Sequence, residues 1–507
     1  MTPTPADSDD IAQLAKGGRT NVLGFILRLA ARIPFLFIAG RIYGADLVGR
    51  FAIAVVVVEL AALVATLGLK RGLAQALSVA DRPHAHVVWD GMAVAAVASA
   101  VASAVLIAFP EVMYPKTAIT GLDRFLPLVI LAIAWSDVSL AALAYRRNVQ
   151  AAVTARAVVE PWTISIAAWG FSYFTIRDGL VLSYVASMIA ALVASLVPFI
   201  RAYGLPRGWK PRLGPLLALA RANAPLAGAD ALEWGTRNVD RFILGLLFAP
   251  KLVGVYYMAQ QVASLPGKLK TSFDPILGPV VTEALGRGDK AAVARQVCQV
   301  AFWIMAAQGG LALMGSIPGE AVMGVVGPAF VSGTAALAFL LTAEFAGTAG
   351  AVSESALVYM ARTRNLAVSA AMLGVQVALS FLLIWAMRRL GWPETWAAAG
   401  PAVALCASLG VSSVVKVRLL ERLLGHRVAP WRWALLPAAL AAIAVGTVFT
   451  ALPHEYEWAE LVVGEPLIAG TYLYVLWRWA FGEGDRALFR RSRTRAEALP
   501  REGAAAR

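Results

Sequence analysis

Cysteine is almost absent from this chain of 507 residues, and the two present, Cys298 and Cys406, both fall inside long apolar runs. That argues against a disulfide framework. Histidine is nearly as scarce (His84, His86, His426, His454), and neither set has ligand spacing, so a zinc or haem site has no basis. No G-x-x-x-x-G-K-[ST] loop is present to cradle nucleotide phosphates, and no serine elbow or His–Cys cluster offers a nucleophile. With no cofactor implied, energy would have to come from an ion gradient, the membrane potential or substrate mass action. Charge is sparse too: 15% of residues, against about 25% in soluble domains.

Apolar residues fill the space, at 59% of the chain and a mean hydropathy of +0.68. Runs of about 20 apolar residues, enough to cross roughly 30 Å of hydrocarbon, recur almost from end to end. Fourteen are read, near 20–42, 47–69, 87–109, 123–145, 152–174, 180–200, 223–248, 253–284, 296–318, 334–360, 365–387, 395–415, 431–451 and 461–480. The run at 253–284 is long enough to be kinked, tilted or partly interfacial. A net charge of +14 would suggest nucleic acid in a soluble protein, but its distribution explains it otherwise. With the N-terminus inside, inner loops and tails hold 28 Lys and Arg, outer loops 5, and spans 12. This positive-inside asymmetry puts both termini in the cytoplasm and leaves nothing for nucleic acid to explain. The first nineteen residues are polar and acidic, unlike a cleaved signal peptide, and are expected as a solvated tail.

The chain is also an internal duplication. Arg32, Gly40, Leu47-Val48-Gly49 and Ala54 recur without a gap, 205 residues on, as Arg237, Gly245, Leu252-Val253-Gly254 and Ala259. Each repeat holds six spans, an even number, so both enter the membrane with the same orientation and are related by an axis along its normal. The expected fold is an all-α integral membrane protein of about fourteen transmembrane helices in two six-helix lobes, 20–200 and 223–415. A cytoplasmic interfacial linker, 201–222, joins the lobes. Spans 431–480 form a C-terminal pair, and 481–507 a basic cytoplasmic tail. The outer loops are short, the longest being 110–122 and 319–333; the second is apolar and glycine-rich enough to dip into the interface.

Intramembrane charges are the candidates for function, because an arginine at a helix centre costs about 2.5–3.5 kcal/mol and needs a partner or a wet cavity. Span 1 carries Arg28 and Arg32 one turn apart; span 7 carries Asp230, Glu233, Arg237, Asp240 and Arg241 as one polar stripe. The bland reading is an ion-pair ladder in which Glu233 and Asp240 neutralise Arg237 along the helix. The shared register of Arg32 and Arg237 favours function, since packing alone does not need an arginine at the same place in both halves. Arg50, Glu59, Asp90, Asp137, Arg156, Glu160, Glu344 and Glu354 also lie in spans. Asp137, Glu160 and Glu233 are the candidates for exchanging a proton or sodium ion. Glu160 precedes Pro161, whose missing donor kinks the helix, and Asp137 has no basic residue at helical spacing on its own span. Trp135, Trp234 and Trp303 lie deep enough to stack on a sugar ring, with core packing as the alternative for each.

At the first corner, Gly44-Ala45-Asp46-Leu47-Val48-Gly49-Arg50-Phe51 resembles the glycine-rich, acidic corner of bacterial polysaccharide flippases in the multidrug/oligosaccharidyl-lipid/polysaccharide (MOP) exporter superfamily. The second corner agrees, from Asp240-Arg241 through Gly245 to Val253-Gly254-Val255-Tyr256, followed by Pro279. The resemblance implies a two-lobed, alternating-access transporter that moves undecaprenyl-diphosphate-linked oligosaccharide across the inner membrane for O-antigen, lipopolysaccharide or exopolysaccharide synthesis, beside polymerase and export partners. Arg28, Arg32, Arg237 and Arg241 would then hold the diphosphate, for which guanidinium donors are suited. By analogy with the lipid II flippase, spans 13 and 14 would border a groove for the prenyl tail.

The rivals within the superfamily are a lipid II flippase and a cation-coupled multidrug or metabolite antiporter; paired central arginines count against cationic cargo. A membrane glycosyltransferase or polymerase would be expected to carry large outer loops with carboxylates. The topology yields a direct prediction. Single cysteines near Lys116, Arg389 and Glu455 react with an impermeant thiol reagent from outside, and ones near Lys210 and Lys416 do not. Inside labelling at Glu455 with an outside tail would remove the last helix pair from the scheme.

Overall fold

The computed structural model describes residues 30, 32–79, 81–119, 121–271, 274–451 and 457–486, and among them all regular structure is helical. Arg28, Glu455, the N-terminal tail and the C-terminal tail beyond Arg486 lie outside this set. Residues 32–43 form α1, which closes in a π-turn, Ala39–Tyr43. The N-lobe continues with α2 (Gly44–Ala65), α3 (Leu69–Ser78), α4 (His84–Ala108), α5 (Val129–Tyr145), α6 (Val149–Val153), α7 (Glu160–Phe171) and α8 (Ile176–Tyr203). The C-lobe has α9 (Leu213–Leu247), α10 (Pro250–Thr271), α11 (Asp274–Gly286), α12 (Lys290–Ser316), α13 (Gly319–Val326), α14 (Thr334–Met360), α15 (Arg362–Arg389) and α16 (Glu394–Leu424). The chain then adds α17 (Leu435–Thr450), α18 (Glu457–Ala459), α19 (Glu465–Trp479) and α20 (Glu483–Arg486). Where they are described, the apolar runs fall largely on helices. Eight helical stretches among the described residues are long and apolar enough to cross a membrane by length and composition, and one of them, Arg32–Ser78, contains the end of the first run and all of the second.

That stretch is divided at Gly44, whose φ of +76° only glycine adopts at little cost, so α1 and α2 fold back on each other. Five residues on, the duplication becomes visible in space. A Cβ on Gly49 would collide with the carbonyl oxygen of Pro250 and stand 2.7 Å from Gly254 N. A Cβ on Gly254 would collide with the carbonyl oxygen of Ala45 and stand 2.8 Å from Gly49 N. Ala45 and Pro250 are themselves equivalent at the offset of 205, so the contact is reciprocal, as a two-fold demands. Ala45-x-x-x-Gly49 and its equivalent Pro250-x-x-x-Gly254 thus bring the backbones of α2 and α10 together at one end of the molecule, small glycines giving the close approach by which membrane helices gain contact without a hydrophobic driving force. At the other end the lobes meet again, where Gly68 and Gly72 approach Asn223 and Ala227 of α9.

Several expectations change. The linker 201–222 is not wholly separate from span 7, because from Leu213 on it runs into that span as the continuous α9, with Pro225 inside the helix. The long run 253–284 is two helices, α10 and α11. Segment 319–333 folds as α13 and a 3₁₀ turn, and packs on the end of α1, where Arg41 donates to the carbonyls of Val325 (3.1 Å) and Gly324 (3.0 Å). Helix α16 runs past the expected end at 415, so Lys416 is buried inside it rather than free in a loop. The last pair packs on α12, sharing a core that includes Tyr472, Leu476, Ala438 and Phe302.

The α2–α10 contact predicts that Gly49→Val or Gly254→Val forces the lobes apart, at a cost of about 1–3 kcal/mol for overpacking or more if the backbones cannot separate. Gly228→Ala, with nothing within 4 Å of its added carbon, leaves stability unchanged. Equal melting temperatures for all three would remove the contact from the account.

Candidate functional site

A cavity of about 520 Å³ opens beside the N-lobe, lined by Glu59 of α2, Lys70 of α3, Asp137 of α5, Arg156, Glu160, Tyr184 of α8 and, from the C-lobe, Trp234 of α9. Its chemistry comes from a broken helix. Pro161 lacks the N–H that would bond the preceding turn, and the backbone between α6 and α7 widens into a π-turn, Thr154–Val159. That turn presents Arg156 inward. Its guanidinium bonds to Asp137 Oδ1 and, at 2.8 Å, to Glu160 Oε2; Lys70 Nζ stands 3.9 Å from Asp137 Oδ2. Asp137 and Glu160, far apart in the sequence, are therefore clamped by one arginine.

The polar stripe of α9 does not form the expected ladder. Arg71, on α3 of the other lobe, takes both nearer carboxylates, with Nε 2.6 Å from Asp230 and Nη2 2.5 Å from Glu233. Asp240 is fully buried and satisfied elsewhere: Tyr256 donates to it at 2.7 Å, Gln260 at 3.1 Å, and the Arg241 backbone N–H at 2.8 Å. Glu233 and Asp240 thus leave Arg237 unneutralised. Arg241 bonds to Asn238 and lies 5.5 Å from the Tyr257 ring, and its buried Nε has no partner. Arg50, Arg71, Arg156 and Lys416 each have a carboxylate within 4 Å. Among the described residues, Arg32, Arg237 and Arg241 have none.

Arg237 and Arg241 lie one turn apart on α9. Arg32 and Arg241 are both within electrostatic reach of Glu59 and of Tyr257, and Arg237 of Glu354. Glu354 is already held by Lys416 (2.8 Å) and Asn365 (2.9 Å). Of the tryptophans, Trp234 lines the cavity. Trp135 donates to the Met92 carbonyl at 3.0 Å within the N-lobe wall. Trp303 is buried in the other core and donates to Asp485 at 2.8 Å, so its ring is a packing element that ties the C-terminal segment to α12. Lys70 and Arg71 were masked in the sequence by their place at the end of a span, where they count as inner-loop charges. The available signal was Gly68 followed by the amphipathic LKRGLAQALS.

A model of the polysaccharide biosynthesis protein family matches residues 40–308, more than half of the 507. No curated protein matches the chain by sequence. Among solved structures, the lipid II flippase MurJ in an inward closed conformation aligns with a TM-score of 0.67 at 12% identity, covering 90% of this chain and 99% of that one. The inward-facing conformation of a multidrug resistance MATE family transporter of the MOP superfamily gives 0.61 at 12% identity, over 79% and 98%. An outward-facing conformation of such a transporter gives 0.53 at 13% identity, over 83% and 96%. At these identities the likeness is one of fold. With the match over residues 40–308, it makes the chain a multi-pass membrane protein with the MOP transporter fold that belongs to the polysaccharide biosynthesis protein family.

Proposed function

We propose that the protein is an alternating-access flippase that carries undecaprenyl-diphosphate-linked oligosaccharide from the inner to the outer leaflet of the bacterial cytoplasmic membrane, for cell-surface polysaccharide synthesis. The observation that carries this reading is the trio Arg32, Arg237 and Arg241, cations at the lobe interface without a described carboxylate within 4 Å. A structural arginine in a membrane protein is matched by an internal anion or by backbone carbonyls, as Arg41 is by Val325 and Gly324. Three unmatched ones suit an anion that arrives from outside the chain, and a diphosphate can accept from several guanidinium forks at once. Arg28, outside the described residues, is assigned to the same group by its sequence spacing of four from Arg32.

The neighbouring cavity supports a glycan in the same pose. Trp234 offers a flat apolar face, and Glu59, Lys70 and Glu160 offer donors and acceptors for hydroxyl groups. The prenyl tail remains in lipid. Movement between states then requires the interlobe contacts to part, and Arg71 can exchange Asp230 and Glu233 for phosphate oxygens as the head group passes. Coupling to a proton or sodium ion, assigned to Asp137, Glu160 and Glu233, takes a specific form here: the ion competes with Arg156 or Arg71 for the carboxylate.

Arg32→Ala and Arg237→Ala are each expected to abolish surface polysaccharide in a flippase-null strain at normal protein level. Lysine restores part of it, keeping the charge and losing the planar fork. Full export by both alanine variants would make these arginines structural. In vesicles with an imposed proton, sodium or potential gradient, Asp137→Asn and Glu160→Gln are expected to lose the gradient response while still binding lipid. If Asp137→Asn, Glu160→Gln and Glu233→Gln all keep the full response to every gradient, the potential acting on the anionic substrate replaces ion exchange as the driving force.

A further inference from the structure

Away from the lobe interface, a second group of cations stands at the end of α15. Of the five Lys and Arg expected outside (Lys116, Arg177, Lys251, Arg388 and Arg389), two are adjacent there, against the charge bias of that face. Phe381, Ile384, Trp385 and Arg388 follow the 3–4 spacing of one helical stripe, and with Leu247 of α9 and Arg389 they line a cleft of about 380 Å³. Ile384 is buried, while Phe381 and Trp385 are 43% and 58% exposed.

The two arginines are held differently. Arg388 is anchored: Nη2 donates to the Leu247 carbonyl at 3.2 Å and lies 3.5 Å from Glu394, and the guanidinium stands 4.4 Å from the Phe248 ring centre. Arg389 stands 5.3 Å from the Trp385 ring and has no described carboxylate within 4 Å. The 28 residues of α15 give a length of about 42 Å, which matches a bilayer with its headgroups. Its last turn therefore sits at headgroup depth, and Trp385 and Phe381 lie one and two turns deeper, among acyl chains.

We propose that this cleft holds an anionic phospholipid of the surrounding bilayer, its phosphate on Arg389 and Arg388 and one acyl chain along Phe381, Ile384 and Trp385. Charge complementarity selects the occupant: an apolar groove alone would take any lipid, and a cation pair alone any phosphate, but the stripe running into the pair fits a molecule with both parts. Arg389 supplies the uncommitted fork, and Arg388, fixed by α9, sets where the phosphate stops.

The test is native mass spectrometry of the full chain titrated with phosphatidylglycerol and, in parallel, phosphatidylcholine. The protein is expected to retain phosphatidylglycerol preferentially. Arg389→Ala is expected to weaken that retention about tenfold, Arg389→Lys to keep most of it, and Trp385→Ala to weaken both lipids. Arg362→Ala with Arg364→Ala, at the opposite end of α15, should change nothing. Arg389→Ala removes no protein hydrogen bond, so an unchanged melting temperature confirms that the fold is retained. Equal retention of the two lipids by the unaltered protein, undiminished phosphatidylglycerol on Arg389→Ala, or a prenyl-linked lipid whose retention Arg389→Ala abolishes would each overturn the proposal.

Discussion

An ionised side chain in hydrocarbon has to be paired, wetted or used, and that constraint organises this molecule more than any single packing contact. Arg50 meets Asp123, Arg71 meets Asp230 and Glu233, Arg156 meets Asp137 and Glu160, and Lys416 meets Glu354. Breaking a buried pair of this kind, as Arg50 with Asp123, by removing one partner costs about 3–5 kcal/mol, because the other charge stays behind. Each pair therefore fixes the relative position of two helices, and one of them, Arg71 with α9, fixes the two lobes against each other. Among the described residues, Arg32, Arg237 and Arg241 stand out because they are left over after this pairing, and because Arg32 and Arg241 act on the same Glu59.

The lobes meet at their two ends through different chemistry. At one end Gly49 and Gly254 let two backbones touch, a contact of dispersion and shape that tolerates no added carbon. At the other, Gly68 and Gly72 bring α3 close enough for Arg71 to reach across, and charge does the holding. An anionic ligand can compete for the second contact and has nothing to offer the first. The duplication supplies both: the same corner, used twice, generates the symmetric glycine contact, while the polar stripe of α9 has no full counterpart on α1 among the described residues.

Much of the fold was legible because a bilayer sets span length and charge bias sets direction. The fourteen apolar runs and the corner at Gly44 needed no tertiary information. The ion pairs were not legible. Glu233 lies one turn from Arg237, so helical spacing paired them, but Arg71, 162 residues away, captures Glu233. Asp137 looked isolated because its partner, Arg156, sits on another helix and reaches it only through a π-turn at Pro161. Trp303 looked available for a sugar because its acceptor, Asp485, follows 182 residues later. Lys416 read as a loop residue, yet apolar periodicity carries α16 through Val417, Leu419 and Leu420 to Leu424. In each case the missing information was which distant residue shares the same depth in the membrane.

The most direct test of the central claim is the lipid that stays with the protein through mild purification, identified by mass spectrometry for the unaltered chain and for Arg237→Ala. A prenyl-diphosphate glycan retained by the first and lost from the second is the expected result. Finding a cationic small molecule in its place, or the same prenyl-diphosphate glycan on both proteins, would contradict the assignment of these arginines to an anionic lipid head group.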